Sequence, residues 1–288
     1  MNTDYGPSNW GRWGDGDQRG TLNFITPEVV TAALRSVRRG TVLTLGCPVG
    51  PRGPVFPGRE SSVHALRSFD RRPTGYADDV LVMNSHSSTH LDALSHAFLD
   101  GLMYNNQAVA EFATPTGMKR NAVDQIGAIV TRGILLDIAK YRGVGSLDVG
   151  DAITSLELDA CAEVQGIVPR SGDVCLVRTG WIQHFAKDLS VLERGEPGLA
   201  LDVAEWFHRH ELVALGVDNG AIDVLPAEPG GQAFGLHPRI IQRQGGYLME
   251  FLDLEELSAA EVVEFLIVVA PLKISGGAGS PVNPVVVF

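Results

Sequence analysis

Three of the eight histidines in the chain lie within the eleven residues from His86 to His96. His86 and His90 precede Asp92, and His96 follows it, so that all four groups stand at even spacings. Neutral imidazoles and carboxylates together form sites suited to Zn, Mn or Fe. The segment therefore predicts a metal site. The alternative is a polar loop in which the histidines are solvated.

Regular secondary structure cannot bring these four side chains to one ion. On a helix, at about 100° per residue, His86 and His90 share a face while Asp92 and His96 point away from it. A straight strand puts all four on one face but spreads them over about 33 Å. Metal ligands lie about 2 Å from their ion. The segment is therefore predicted to be an irregular loop that folds back after a strand at residues 79–83.

Ligation by two imidazoles and one carboxylate would leave coordination positions open for water. His96, as a fourth group, could then act as the base or acid that handles the water proton. A second suggestive stretch begins with His237 and ends with Glu250, which stands between Met249 and Phe251. A carboxylate buried there without a partner would cost several kcal/mol. Glu250 is therefore predicted to meet a metal, a cation or a shared proton, unless the strand is half-exposed and Glu250 lies in water.

The elements that would position these residues alternate between helices and short apolar strands. Thr26 and Pro27 are typical of a helix cap and a first helical position. The predicted helices cover residues 27–37, 155–164, 200–210 and 255–265, and the predicted strands cover residues 41–45, 79–83, 134–138, 174–177, 212–217, 247–252 and 266–270. Strands that end in polar residues and glycine favour a small-molecule site. The glycine-rich residues 275–281 lack the strand and helix of a phosphate-binding loop, and are predicted to form a turn between final strands.

Composition bears on the class of function. The chain is 44% hydrophobic and 20% charged, with a net charge of −11. This negative charge, together with the lack of a block of basic residues, argues against nucleic-acid binding. The N-terminus lacks the pattern of a signal peptide and no apolar run could span a bilayer, so we expect a cytoplasmic protein without a membrane partner. The three cysteines, Cys47, Cys161 and Cys175, stand far apart in apolar contexts and are predicted to be core residues.

Residues 1–288 are predicted to form one domain, because no repeat, low-complexity tract or linker divides them. Residues 1–25 are rich in glycine and tryptophan, and are expected to form an arm that packs on the domain or on a neighbouring subunit. Trp13 in this arm, and Trp181 after the strand at 174–177, are candidate residues of a substrate pocket.

The histidine cluster resembles the signature HxGTHxDxPxH of the metal-dependent cyclase and kynurenine formamidase superfamily, which includes isatin hydrolase and trans-dienelactone hydrolase. The matching pattern is His86-x-Ser88-Thr89-His90-x-Asp92-x-Leu94-x-His96. Residues 13–23, 172–181, 237–250 and 276–281 are also similar to the longer members, so the resemblance covers nearly the whole chain. Ser88 replaces the glycine and Leu94 the proline. The serine requires a backbone adjustment if its position needs a positive φ.

The resemblance implies a division of roles within the site. The implied ligands of a divalent metal, Zn or Mn, are His86, His90 and Asp92. His96 would be the general base. His237 and Glu250 would complete a second metal site, or would contact substrate and water as further catalytic groups.

The resemblance also implies a fold and an assembly. The fold would be α/β, a swivelling β/β/α domain with a mixed sheet core and peripheral helices. Members generally form dimers or tetramers with aromatic residues of a partner subunit near the site, so a homodimer or homotetramer is expected.

The expected function is that of a metal-dependent hydrolase. It would open a cyclic amide, imide or lactone, or cleave an aryl formamide, with metal-activated water and a histidine base. One alternative is a metal-dependent cyclase, dehydratase or isomerase that acts on a keto or enol substrate. Another is a metalloprotein that binds a small molecule without turnover. In each case the expected partner is a small molecule.

Overall fold

The computed structural model describes residues 5–185, 187–227 and 231–288. Its strands of three or more residues are, in chain order, β1 Val42–Thr44, β2 Val63–Arg71, β3 Thr74–Val82, β4 His90–Asp92, β5 Ile129–Asp137, β6 Val174–Arg178, β7 Ala214–Val217, β8 Tyr247–Glu250, β9 Glu264–Val269, β10 Gly279–Pro281 and β11 Val285–Val287. Nine of them form one sheet in the order β1-β11-β9-β5-β6-β7-β8-β4-β10, and β2 and β3 form a separate hairpin. Two-residue strands pair Leu102–Met103 with Gln107–Ala108, Ala113–Thr114 with Gly117–Met118, and Ala152–Ile153 with Gly198–Leu199.

The centre of the sheet is parallel and buried. Strands β5, β6, β7 and β8 run parallel to one another, and the flanking strands on both sides pair antiparallel. One row across these strands joins Leu135, Leu176, Gly216 and Met249. Strands buried on both faces have continuous apolar sequences, which explains why several of them could be recognised. The predicted α/β class, with a mixed sheet core and peripheral helices, is confirmed.

Short helices surround the sheet. The α-helices are α1 Pro27–Ala33, α2 Val109–Phe112, α3 Ile138–Tyr141, α4 Ser155–Val164, α5 Ile182–Phe185, α6 Val203–Arg209 and α7 Glu255–Ala259. Segments of 3-10 helix cover Gly20–Phe24, Leu34–Ser36, Tyr104–Asn106, Val123–Gln125 and Leu189–Arg194, and a π-helical segment covers Pro238–Arg243. Thr154 caps α4 by accepting from the backbone N–H of Glu157. Within the described ranges, none of these helices is long and apolar enough to cross a membrane.

The prediction of a single helix over residues 255–265 is wrong. Helix α7 ends at Ala259, and residues from Glu264 onward belong to β9. In β9, Phe265 pairs with Gly133 of β5, and the carboxylate of Glu264 accepts from Arg132 at 2.9 Å. These contacts with a distant part of the chain override the local helical pattern.

A long hairpin precedes the histidine cluster, and the sequence indicates only its last residues. Strands β2 and β3 pair over their whole length, beginning with Val63 opposite Val82. Val63, Val80 and Val82 lie on one face of the hairpin and are 62%, 64% and 62% exposed. An isolated two-stranded hairpin is only marginally stable in water. This face is therefore suited to packing against another surface.

The glycine- and tryptophan-rich arm packs on its own chain over residues 5–25. Trp10 Nε1 donates to the carbonyl oxygen of Gln242 at 2.6 Å. Thr21 Oγ1 donates to the carbonyl oxygen of Val213 at 2.8 Å, just before β7. The remaining residues of the predicted arm, 1–4, lie outside the described residues.

Gly133 lets the ring of Phe265 lie directly across β5, because a Cβ atom at this position would overlap the ring. We expect Gly133→Ala to lower the free energy of unfolding by about 1–3 kcal/mol, which is typical of overpacking a core. Gly145→Ala is the matched control, since its Cβ would meet no atom within 4 Å. Urea unfolding measures both variants. Equal stability of the two would contradict the crowding at Phe265.

Candidate metal centre

The chemically active residues lie where β4 runs between β8 and β10. His90 pairs with Glu250 of β8, and Asp92 pairs with Gly279 of β10. Side chains alternate along a strand, so His90 and Asp92 share one face while Leu91 between them packs in the core. The strand register therefore brings two predicted ligands and Glu250 side by side.

Two turns bring the other histidines to the same place. The side-chain oxygen of Asn84 accepts from the backbone N–H of His86 at 2.9 Å. The backbone carbonyl oxygen of Asn84 accepts from the backbone N–H of Ser87 at 3.1 Å. This turn reverses the chain after β3. A second turn, in which the N–H of His96 donates to the carbonyl oxygen of Ala93 at 2.9 Å, follows β4. The prediction of an irregular segment that folds back after a strand is confirmed.

The donor atoms of the cluster converge on Asp92. His86 Nε2 and His90 Nε2 each lie 3.5 Å from Asp92 Oδ1. His90 Nε2 is 3.1 Å from Glu250 Oε2, and His96 Nε2 is 3.9 Å from Asp92 Oδ1. Ligands about 2.1 Å from a tetrahedral ion lie about 3.4 Å from one another. Asp92 belongs to two compact groups, one with His86 and His96 and the other with His90 and Glu250.

Several of these atoms are buried without a hydrogen-bond partner in the described part of the chain. They are His86 Nε2, His90 Nε2, both carboxylate oxygens of Asp92 and Glu250 Oε2. Buried polar atoms normally carry hydrogen bonds, because an unpaired one costs free energy. Divalent cations would satisfy them, so the donor set fits the metal that the sequence predicts. The structure brings Asp92 together with His86 and His96 in one group and with His90 and Glu250 in another, and it does not bring His86 and His90 into the same group. The alternative of solvated histidines disagrees with His90 at 0% and Asp92 at 1% exposure.

The opposite ring nitrogens of the two proposed histidine ligands have partners of their own. His90 Nδ1 lies 2.9 Å from the carbonyl oxygen of Ser88, and His86 Nδ1 lies 3.1 Å from Ser85 Oγ. Partners on Nδ1 set the tautomer and orient the ring. Both Nε2 atoms are thereby directed toward Asp92.

Ser88 has a φ of 55°, in the left-handed region that favours glycine. The position therefore does need a positive φ, and serine adopts it. This conformation costs a residue other than glycine about 1–2 kcal/mol. The hydroxyl offsets part of the cost, because its single proton is shared between the carbonyl oxygens of Cys47 at 3.0 Å and Pro48 at 3.1 Å.

His237 stands between two carboxylates. Its Nε2 is 3.1 Å from Glu250 Oε1, and its Nδ1 is 3.3 Å from Asp223 Oδ2. Asp223 also accepts from the backbone N–H of Leu236 at 3.0 Å. Sequence reasoning missed Asp223, since no local spacing links it to His237, and the polar stretch that follows β7 was the only signal. Asp223 fixes the orientation of the imidazole.

Burial and neighbouring charge act differently on the titrating groups. Burial lowers the pKa of His86 and of His96 to about 3, so both imidazoles are neutral near pH 7. Burial also lowers the pKa of His237, but hydrogen bonds to Asp223 and Glu250 outweigh it and raise that pKa to about 10. For Glu250, burial raises the pKa, yet the facing histidines hold it below its usual range. For His90, burial lowers the pKa, but contact with Glu250 outweighs it and raises the pKa above its usual value. The cluster thus combines the neutral imidazoles of His86 and His96 with His90 and His237, whose pKa values are raised by the carboxylates that face them.

A cavity of about 330 Å³ opens on the cluster, and His96, His237 and Glu250 line it. Its other walls include three phenylalanines: Phe56, Phe98 and Phe234. Glu250 is 2% exposed, so it does not lie in water as the alternative required. All six histidine and carboxylate residues predicted for the site therefore lie around one cavity or directly behind it.

The two candidate tryptophans do not line this cavity within the described chain. Trp13 packs edge to face on Phe24, with the ring centres 5.1 Å apart. Trp181 is 6% exposed and belongs to a separate apolar cluster with Phe185 and Phe251. Trp181 is nonetheless close to the site, because the ring centre of Phe251 lies 6.2 Å from that of His90.

The family profile described as "Putative cyclase" matches residues 43–224. The chain belongs to this family. A solved structure described as a novel cyclase is 30% identical in sequence to this chain and superposes on it with a TM-score of 0.90. The match covers 98% of this chain and 100% of the cyclase chain. Isatin hydrolase of Roseibium aggregatum is 22% identical over 232 residues, which are 77% of this chain and 78% of that protein.

An isatin hydrolase structure bound to the product analogue thioisatinate has the same fold. The two sequences are 20% identical, and the two structures superpose with a TM-score of 0.65. The match covers 91% of this chain and 98% of the isatin hydrolase chain. The predicted cyclase-family fold is confirmed by these likenesses. The chain is accordingly related to hydrolases and cyclases, as the histidine signature implied.

Gly279 makes room for His86, because a Cβ atom at this position would lie 2.5 Å from His86 Nε2. We expect Gly279→Ala to displace the imidazole and weaken Zn or Mn binding by about 10- to 100-fold, as is typical when the surroundings of a ligand are disturbed. Competition with a chromophoric chelator measures the affinity. Gly145→Ala should leave it unchanged. Wild-type affinity in Gly279→Ala would show that His86 is not a ligand in this position.

Proposed function

We propose that this protein is a metal-dependent hydrolase that opens a cyclic amide, imide or lactone, or cleaves an aryl formamide. The observation that carries the proposal is the set of buried donor atoms without hydrogen bonds on His86, His90 and Asp92, beside a cavity that His96 lines. The similarity to isatin hydrolase supports hydrolysis of an acyl bond.

His86, His90 and Asp92 would hold the ion, and Zn and Mn both suit imidazole and carboxylate ligands. Glu250 and His237 stand close enough to complete a second position or to contact substrate. When bound, a divalent ion supplies a Lewis acid that polarises an acyl carbonyl and lowers the pKa of a water molecule at the site toward about 7.

The proton transfers belong to the chain's own side chains. His96 lines the cavity, so its imidazole can reach the attacking water, accept a proton from it and return that proton to the leaving nitrogen or oxygen. His237 is held by Asp223 on one ring nitrogen and by Glu250 on the other, so its ring stays at the cavity wall. There it can assist in orienting substrate and water.

We expect His96→Ala to lower kcat by about 10²- to 10⁴-fold, the contribution typical of general base catalysis, while the metal content stays at the wild-type level. His90→Ala should lose metal and activity together, because it removes a ligand. Carboxylate release from a panel of lactones, cyclic imides and aryl formamides measures activity, and elemental analysis of protein purified without added metal measures its metal content.

His208→Ala is the matched control for this experiment. His208 lies in the last turn of α6 and does not line the cavity, so its loss should leave kcat unchanged. A His96→Ala enzyme as active as the control would remove His96 from the mechanism. A metal-loaded wild type that opens no member of the panel would contradict hydrolysis.

Ring closure, dehydration or isomerisation is the second candidate, favoured by the likeness to the structure described as a novel cyclase. Conversion of a β-keto or enol substrate without release of a carboxylate would support it. Stoichiometric binding of a ligand without conversion would instead support a binding protein.

We also propose that the protein forms a homodimer or homotetramer through one face of the β2–β3 hairpin. This face carries the exposed Val63, Val80 and Val82, and on it Phe69 stacks on Tyr76 with ring centres 4.9 Å apart. Burial of apolar surface contributes about 25 cal/mol per Å². An exposed apolar face on a protruding hairpin therefore supports self-association.

We expect Val80→Glu to convert the oligomer into monomers at micromolar concentration, because a charge buried in an apolar interface costs several kcal/mol. Ser68→Glu places the same charge on the opposite face of the hairpin, which carries the exposed Leu66 and Leu81, and should leave the assembly intact if the valine face forms the contact. Light scattering coupled to size-exclusion chromatography measures the mass. A monomeric wild type, or equal behaviour of the two variants, would contradict assembly through this face.

A further inference from the structure

Arg59 lies in the wall of the cavity that opens on the metal centre. Among the described residues that line this cavity it is the only arginine or lysine, and Glu250 is the only carboxylate. Glu250 is already contacted by His90 and His237, each at 3.1 Å. The cavity therefore contains one basic side chain whose charge is not neutralised by any carboxylate that lines the cavity.

Two contacts hold the guanidinium in place. Arg59 Nη1 donates to the carbonyl oxygen of His86 at 2.6 Å. The central carbon of the guanidinium lies 5.8 Å from the ring centre of Phe56. The backbone N–H of Arg59 also donates to the carbonyl oxygen of Phe56 at 3.1 Å, so one turn positions both side chains. The charge is thus fixed beside a proposed metal ligand and an aromatic wall.

Among the described residues, few of the hydrogen-bond donors of Arg59 have a protein partner. A guanidinium has five N–H donors in one plane, and the contact with His86 uses one. Within residues 5–185, 187–227 and 231–288, Arg59 forms no ion pair with a carboxylate. A half-buried guanidinium against a phenylalanine is weakly hydrated, and its planar fork matches the two oxygens of a carboxylate.

We propose that Arg59 binds a carboxylate carried by the substrate. The site would then take an aromatic or cyclic acid derivative, whose acidic group pairs with Arg59 while its ring rests against the phenylalanine walls and its acyl bond faces His96. The reaction at that bond rests on the proposed hydrolase function, whereas recognition of the anion does not. Isatin carries no carboxylate, so the substrate proposed for this chain belongs to a different class from the compound for which its relative is named.

The test of binding uses benzenesulfonate and its neutral analogue methyl phenyl sulfone. A sulfonate pairs with a guanidinium but is a poor ligand for a divalent metal, so it reports on Arg59 rather than on the ion. We expect calorimetry on the metal-loaded protein to show about 10- to 100-fold tighter binding of the sulfonate, as for hydrogen bonds to a charged group. Equal affinity for the two probes would overturn the proposal.

Three variants separate the Arg59 contact from a general effect of charge. Arg59→Gln should abolish the preference for the sulfonate, and Arg59→Lys, which keeps the charge but not the fork, should retain part of it. Arg52→Gln removes the same charge from the same loop at a different cavity, and should keep the wild-type preference. Circular dichroism and metal content verify that each variant is folded. A preference that survives in Arg59→Gln, or is lost equally in Arg52→Gln, would overturn the proposal.

Turnover distinguishes this proposal from the hydrolase proposal. We expect kcat/KM for 2-formamidobenzoate to be about 10- to 100-fold above that for formanilide. Arg59→Gln should make the two values equal by raising the KM for 2-formamidobenzoate. If neither compound nor any lactone or imide is opened while the sulfonate preference persists, hydrolysis fails and the anion site stands. If both are cleaved with equal kcat/KM, the anion site fails and hydrolysis stands.

Discussion

Strand β4 has only three residues, yet it carries an imidazole and a carboxylate into the buried part of the sheet. Its pairing with β8 sets His90 opposite Glu250, and its pairing with β10 sets Asp92 opposite a glycine. Polar groups so deeply buried would cost several kcal/mol each if they had no partner. Their approach to one another, and to the cation that their geometry suits, offsets that cost. The turn at Asn84, the carbonyl oxygen of Ser88 and the carboxylate of Asp223 then fix the orientations of the rings.

The local part of this arrangement can be predicted from the sequence. The even spacing from His86 to His96 leads to a curled segment, because neither a helix nor a strand could bring the side chains together. Helix α4 has the predicted bounds of 155–164 because its cap and its length are both specified within a few residues. Buried parallel strands are equally recognisable, since their continuous apolar runs do not depend on which neighbour they pair with.

The long-range part could not be predicted in the same way. Helix α7 stops at Ala259 because Phe265 must lie against Gly133, a residue on another strand. Asp223 contacts His237 across a separation of 14 residues, and Arg59 is held by the carbonyl oxygen of His86 across a separation of 27 residues. In each case the deciding contact joins residues whose separation in sequence carries no periodic signal.

The two walls of the cavity are formed by different kinds of structure, one by paired strands and the other by connecting segments. The proposed ligands and Glu250 stand on or beside paired strands, where the register leaves little freedom. Phe56 and Arg59 stand on the segment between β1 and β2, and Phe234 stands on the segment between β7 and β8. Loops tolerate substitution better than the strands they join. The chemistry of the centre can therefore stay constant while the shape and charge of the substrate wall change.

The pairing of β4 with β8 and β10 also determines when the centre can exist. Both partners of β4 come from the last part of the chain, so the histidine cluster leaves the ribosome long before Glu250 and Gly279 are available to it. Pairing over such long sequence separations is slow, because the intervening loop must close before any contact forms. If the proposed ligands hold an ion, its binding would therefore depend on the completed sheet. In a nascent or truncated chain, the histidines would be present without the strands that complete the metal site. Binding of the ion would then mark the completion of folding.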